Sequence, residues 1–167
     1  MTSTAHSTHL PALAEPHQRQ EVGRQLQATL VELVDLSLLG KQLHWTVVGP
    51  LFRPLHLQLD ELIDSWRALA DTVAERAVAI GFYPDGQAAA VAAGTPLRAV
   101  DRGELEDHVV VRELTGRVGE VAERARERMD RLGALDPATQ DVVIEVVRAL
   151  EKHLWMIRAQ FPDVRGR

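Results

Sequence analysis

The chain has 167 residues, 46% of them apolar and 26% charged, with a formal net charge of −5. That length suits one domain with a core of its own, and the negative balance excludes a global positive field that would gather DNA or anionic lipid. There is no cysteine, which excludes disulfides, thiolate metal sites and cysteine nucleophiles and is compatible with a reducing cytoplasm.

Residues 1–16 are small, polar and broken by proline, and are expected to form a flexible tail. The first twenty residues lack a basic start and a long apolar stretch, so they do not read as a secretory signal. No run approaches the roughly 18 apolar residues of a membrane helix. A first helix is expected from His17 to Val47, because Val22, Leu26, Leu30, Leu33, Ser37 and Gly40 recur on one face, with His44 on the same face. The "VGP" at Val48–Pro50 breaks it. A second helix is expected to begin near Leu51–Arg53, since Pro54 is tolerated only in a first turn, and to end at Gly81 and Pro84.

A long connection follows, with one short helix expected at about Gly86–Ala93. The stripe Leu105, Val109, Leu114, Val118, Val121, Ala125, Met129 and Leu132 predicts a third long helix from Glu104 to Leu132. Asp136 and Pro137 have the chemistry of an N-cap and a first helical residue. The fourth helix then runs to about Gln160 on Val142, Val143, Val146, Leu150, Leu154 and Ile157, with Trp155 read as core. Four long amphipathic helices and one short connector predict an all-α four-helix bundle over residues 17–161, followed by a short C-terminal tail at 162–167.

The second helix carries the chemistry. His56 and Asp60 are four residues apart and share a face; so do Asp71 and Glu75. Asp60 and Asp71 are eleven residues apart, about three turns, so both pairs lie on one stripe yet are separated by roughly 16 Å along the axis. One metal ion with bonds of about 2 Å cannot touch both pairs in one chain. Two copies of this helix, antiparallel across a two-fold axis near Ser65–Trp66, would bring the His56–Asp60 end of one chain to the Asp71–Glu75 end of the other. His44, on the preceding antiparallel helix, is placed to join the His56–Asp60 end. Two imidazoles and three carboxylates suit iron or a related divalent ion.

The stretch "KQLHWTVVGPLFRPLHLQLDELIDSWRALADTVAERAVAIG", from Lys41 to Gly81, resembles the Dps family, the mini-ferritins or DNA-binding proteins from starved cells. The spacing H-x11-H-x3-D-x10-D-x3-E matches that family's inter-subunit ferroxidase centre at every ligand position. "LEKHLWMIRAQF", from Leu150 to Phe161, resembles the end of the family's fourth helix. The resemblance implies a ferritin-like fold, with His44, His56 and Asp60 from one subunit and Asp71 and Glu75 from its two-fold mate as iron ligands. It also implies a hollow homododecamer of tetrahedral symmetry, built from two-fold dimers, that oxidises Fe(II) with hydrogen peroxide or oxygen and stores the ferric mineral. Trp45, beside the site, is implied to take up stray oxidising equivalents. Asp141 matches the family's acidic pore that admits iron on the three-fold axes; Asp130, Asp136 and Glu145 are added as its neighbours.

Two other functions compete. A di-iron site inside one bundle would need Glu-x-x-His on two helices, and no Glu here is followed by His at that position. A DNA-compacting nucleoid protein with secondary iron binding would need clustered Lys or Arg. The first twenty residues carry one arginine, the end "FPDVRGR" two, and the whole chain has two lysines, Lys41 and Lys152. Weak DNA binding by avidity of twelve copies is the most that this supports. The tail pair His6 and His9 offers a weak extra metal site at best, and His108 and His153 are assigned no metal. The expected location is the cytoplasm, at the nucleoid if DNA is bound.

Overall fold

A computed structural model of the chain describes residue 13 and residues 15–160, the side chain of the last excepted. Most of the expected N-terminal tail, with His6 and His9, and the whole expected C-terminal tail lie outside the described residues. The elements run α1 (Pro16–Thr46), β1 (Val47–Val48), α2 (Phe52–Ala79), α3 (Ala88–Gly94), β2 (Leu105–Glu106), α4 (Asp107–Gly133) and α5 (Pro137–Gln160). Helices α1 and α2 form one antiparallel hairpin and α4 and α5 another; α1 against α4 and α2 against α5 close the two into an all-α four-helix bundle.

Each helix begins and ends for local reasons. Pro16 opens α1 in the first turn, where a missing N–H costs nothing. Asp136 caps α5, its carboxylate accepting the Thr139 N–H at 3.2 Å. At the end of α2, Gly81 adopts φ 82°. Its N–H reaches the Val78 carbonyl, and the Phe82 N–H reaches that of Ala77, both at 2.9 Å. This pair of bonds satisfies carbonyls the helix leaves open, and glycine takes the left-handed conformation without a Cβ clash. Phe82 then seats directly on Gly23 of α1, where any side chain would collide with its ring.

The core draws on one stripe of each long helix: Leu26, Leu33 and Leu43 of α1, Leu55, Leu59 and Ile63 of α2, Leu114 and Leu132 of α4, and Val143, Leu150 and Ile157 of α5. Removing such side chains from water stabilises the fold by about 1.5–3 kcal/mol each. Trp66 of α2 is the largest side chain fully buried among the described residues. The connection from α2 to α4 is tied to α1 by reciprocal bonds between Gln27 and Asp85, at 2.7 and 2.8 Å, and by Thr95 donating to Asp35.

Two expectations give way. The segment from Glu104 does not begin a helix: Leu105–Glu106 pairs in parallel with Val47–Val48, and α4 starts at Asp107, whose carboxylate accepts the Leu51 N–H at 2.9 Å. Trp155 is not core but 66% exposed. On α5 it stands about 140° around from Leu150, away from the face that Leu150 and Ile157 bury.

Candidate metal centre

His44 lies in the last turns of α1 and His56 in the first turns of α2, either side of the short link that reverses the chain. Helix ends leave backbone carbonyls open, and the two histidines use them. His56 Nδ1–H donates to the His44 carbonyl at 3.0 Å, and His44 Nδ1–H donates to the His56 carbonyl at 2.9 Å. The rings stack with centroids 3.6 Å apart and planes 21° from parallel, with Phe52 tilted against His56. Because Nδ1 of each ring is occupied in donating to a carbonyl, Nε2 is the nitrogen left for another partner. Metal-binding histidines are held in this way, the second nitrogen fixing tautomer and ring orientation.

Asp60, one turn beyond His56, places Oδ1 3.4 Å from His44 Nδ1. It also accepts a close hydrogen bond from Lys41 Nζ. That bond holds the Asp60 carboxyl below its ordinary value; partial burial works in the opposite direction, and the neighbouring imidazoles add a smaller downward pull. The structure thus brings His44, His56 and Asp60 to one end of the α1–α2 hairpin. Asp71 and Glu75 stand exposed on α2, about 16 Å further along its axis. Among the described residues no three candidate ligands converge on one point within the single chain. Asp71 borders an open apolar groove formed by Leu30, Val34 and Leu38 of α1 with Ala70 and Ala74 of α2. In this donor set of imidazole nitrogen and carboxylate oxygen, a hard or borderline divalent cation fits better than a thiophilic one.

The remaining candidates separate. Trp45 follows His44 and is 69% exposed. Asp130, Asp141 and Glu145 are exposed, the last two along a polar groove of α5 with Arg148 and Lys152. Asp136 does not join them. It is buried, and Arg76 Nη2 donates to it at 2.7 Å. Burial works to raise its carboxyl, but hydrogen bonds from the Thr139 hydroxyl and from Arg76 outweigh this and leave it below its ordinary value. Asp136, whose capping role is readable from Asp136-Pro137, is thus engaged by α5 and Arg76 and presents no open carboxylate in the single chain. His108 is exposed, and His153 accepts a hydrogen bond from Trp66.

Sequence reasoning missed Lys41. The signal was present: Lys41 lies three residues before His44, one helical turn, and so shares its face. It also missed the buried Glu32 of α1, which accepts from Arg124 Nε at 3.0 Å and from Arg128 of α4. No local pattern announces that pairing, because its partners are more than ninety residues away.

Residues 23–166 match the model of the ferritin-like domain. The chain is 35% identical over 153 residues to DNA protection during starvation protein 2 of Deinococcus radiodurans, covering 92% of this chain and 63% of that protein's length. It is 36% identical over 145 residues to the DNA protection during starvation protein of Agrobacterium fabrum, covering 83% of this chain and 86% of the relative. The solved structure of Mycobacterium smegmatis Dps superposes with a TM-score of 0.87 at 30% identity, covering 100% of this chain and 93% of that one. With the bundle, the paired histidines and these likenesses together, the chain belongs to the Dps family of ferritin-like proteins.

Proposed function

We propose that the protein is an iron-detoxifying mini-ferritin that oxidises Fe(II) at centres shared between two-fold-related subunits and stores the ferric product inside a hollow dodecamer. The observation that carries this reading is the reciprocal His44–His56 lock, which occupies both Nδ1 atoms and leaves both Nε2 atoms for another partner, in a cluster that also holds Asp60. The open groove beside Asp71 supports the rest. An exposed apolar surface at the other half of the ligand set is what a second copy would cover.

In this reading Fe(II) is the substrate. His44, His56 and Asp60 bind it from one subunit, and Asp71 and Glu75 from the mate. Two Fe(II) ions each lose one electron, hydrogen peroxide accepts both as its O–O bond breaks, and two hydroxide ions result. Taking the electrons as a pair avoids release of a hydroxyl radical. Oxygen is the other candidate oxidant. Trp45, exposed next to His44, is assigned to intercept stray oxidising equivalents. Asp141, with Asp130 and Glu145, supplies the acidic path by which cations reach the interior. None of the described helices is long and apolar enough to cross a membrane, and the proposed setting is the cytoplasm.

The double variant Asp60→Ala with Asp71→Ala tests the assignment. Rapid Fe(II) oxidation should disappear while light scattering still shows the assembled particle. Undiminished oxidation, or a fully active monomer, would overturn it. DNA compaction as the main activity is disfavoured by the scarcity of lysine, and a gel shift with the assembled protein at moderate salt separates the two.

A further inference from the structure

Trp66 is buried completely at the middle of α2, six residues after Asp60 and five before Asp71. Its indole fits because Gly40 of α1 has no side chain: a Cβ there would stand 2.9 Å from Trp66 Cζ3. Its Nε1–H donates to Nδ1 of His153, at 3.2 Å, with the rings edge-on at 68° and 6.3 Å between centroids. An indole N–H only donates, so Nδ1 must be the unprotonated nitrogen of a neutral imidazole. Burial lowers the tendency of His153 to protonate, and Lys152 adds to this, so the accepting lone pair is kept.

A buried indole resists one-electron oxidation because the radical cation it forms has lost its hydration. A base on the N–H removes that obstacle, since the oxidised indole is a far stronger acid than the neutral ring. Here the base is only partly buried, so the charge moves outward from the bundle centre to a ring with access to water. In the single chain Trp45 and Trp155 are 69% and 66% exposed, whereas Trp66 has no surface of its own. Trp66 is reached only by electron transfer through the protein.

We propose that Trp66 and His153 form a proton-coupled one-electron donor inside the bundle. A strongly oxidising radical of the hydroxyl-radical class takes one electron from the indole and leaves as hydroxide. The Nε1 proton passes to His153 Nδ1, giving a neutral indolyl radical and an imidazolium. Trp66 lies in the span of α2 that separates the two ligand pairs, with His153 meeting it from α5, so the donor stands between the two proposed half-centres. The inference rests on the proposed iron chemistry only for the source of the radicals, namely a lone Fe(II) that reduces hydrogen peroxide by one electron before it is paired at a centre, giving Fe(III), hydroxide and a hydroxyl radical, and not for the pair itself.

The test therefore uses assembled, metal-free protein. The chain has three tryptophans and one tyrosine, so Trp45→Phe, Trp155→Phe and Tyr83→Phe leave Trp66 as the sole readily oxidised aromatic. Azide radicals generated by pulse radiolysis supply the one-electron oxidant, read by transient absorption and electron paramagnetic resonance. The neutral indolyl radical should form, more slowly in heavy water. Adding His153→Gln, whose amide oxygen accepts the same hydrogen bond but is not a base, should slow formation by about a hundredfold, at the low end of what a positioned base contributes. His153→Leu should behave alike; if it fails to fold, His153→Gln decides. An unchanged rate in His153→Gln, or a long-lived indolyl radical cation in the parent, would overturn the proposal. Because no iron is present, failure of the ferroxidase reading would leave this result standing.

Discussion

Two clusters of ionisable side chains are held within the same bundle and are built to opposite ends. In the α1–α4 seam, Glu32 is 2% exposed and receives Arg124 and Arg128 on the same carboxylate oxygen. Its charge is paired by two guanidinium groups, while its other oxygen, Oε2, is sealed in the seam without a hydrogen bond. At the end of the α1–α2 hairpin, His44 and His56 satisfy their Nδ1 atoms on each other's carbonyls and hold their Nε2 atoms in reserve. Burial of polar groups alone is therefore no sign of a site. Nor is an unpartnered atom alone, since Glu32 Oε2 is one; the sign is two imidazole nitrogens held ready by fixed rings whose Nδ1 bonds end on neutral carbonyls.

That contrast can be broken from either side. Glu32→Leu should have the largest effect on stability, because it strands two partly or fully buried guanidinium groups; removing one partner of such a network costs about 3–5 kcal/mol. Chemical denaturation at fixed protein concentration measures it, and iron oxidation by the molecules still folded should be unchanged. His56→Ala should do the reverse. Helical content and assembly should remain, while stopped-flow Fe(II) oxidation falls by at least the roughly 10–100-fold that loss of a metal ligand's support produces.

Lys41→Met sharpens the comparison at the open cluster. Its ammonium now competes with any cation for Asp60, so its removal should tighten binding of Co(II), used as a redox-silent probe, by several-fold. Lys41 also holds the Asp60 carboxyl low; without it that carboxyl rises, and the acid limb of metal binding moves to higher pH. A calorimetric titration over pH reads both effects.

The smallest effect belongs to His153. Its folded pKa lies below the ordinary 6.5. Between the folded value and 6.5 the unfolded chain binds more protons, so falling pH favours unfolding. The contribution is whole above about pH 6.5 and is lost as pH drops through the folded value. His153→Gln should flatten this part of the stability profile, measured by denaturation at a series of pH values.

What was legible in the chain was whatever repeats or punctuates locally. The leucine and valine stripes, with Pro16, Pro54, Gly81 and Pro137, placed four helices within about three residues of their observed ends. The equal spacing of His56–Asp60 and Asp71–Glu75 placed both pairs on one helix. Contacts that join distant segments were not legible. Two-residue strands carry no period, so the β1–β2 pairing was invisible and Leu105 was assigned to a helix. Trp155, expected in the core, is turned outward by its angle on α5, which the helical period alone makes readable. The cap at Asp136 is legible from Asp136-Pro137, whereas its pairing with Arg76 from another helix is not. Lys41–Asp60 and Trp66–His153 depend on how helices lie side by side.

The placement of both ligand pairs on α2 has a consequence for how this protein can change. Under the proposed pairing, inserting or deleting one residue between Asp60 and Asp71 would swing one pair about 100° around the helix relative to the other. Both centres of a dimer would be lost at once, since each borrows from both ends. The ten residues between them can vary in kind far more readily than in number.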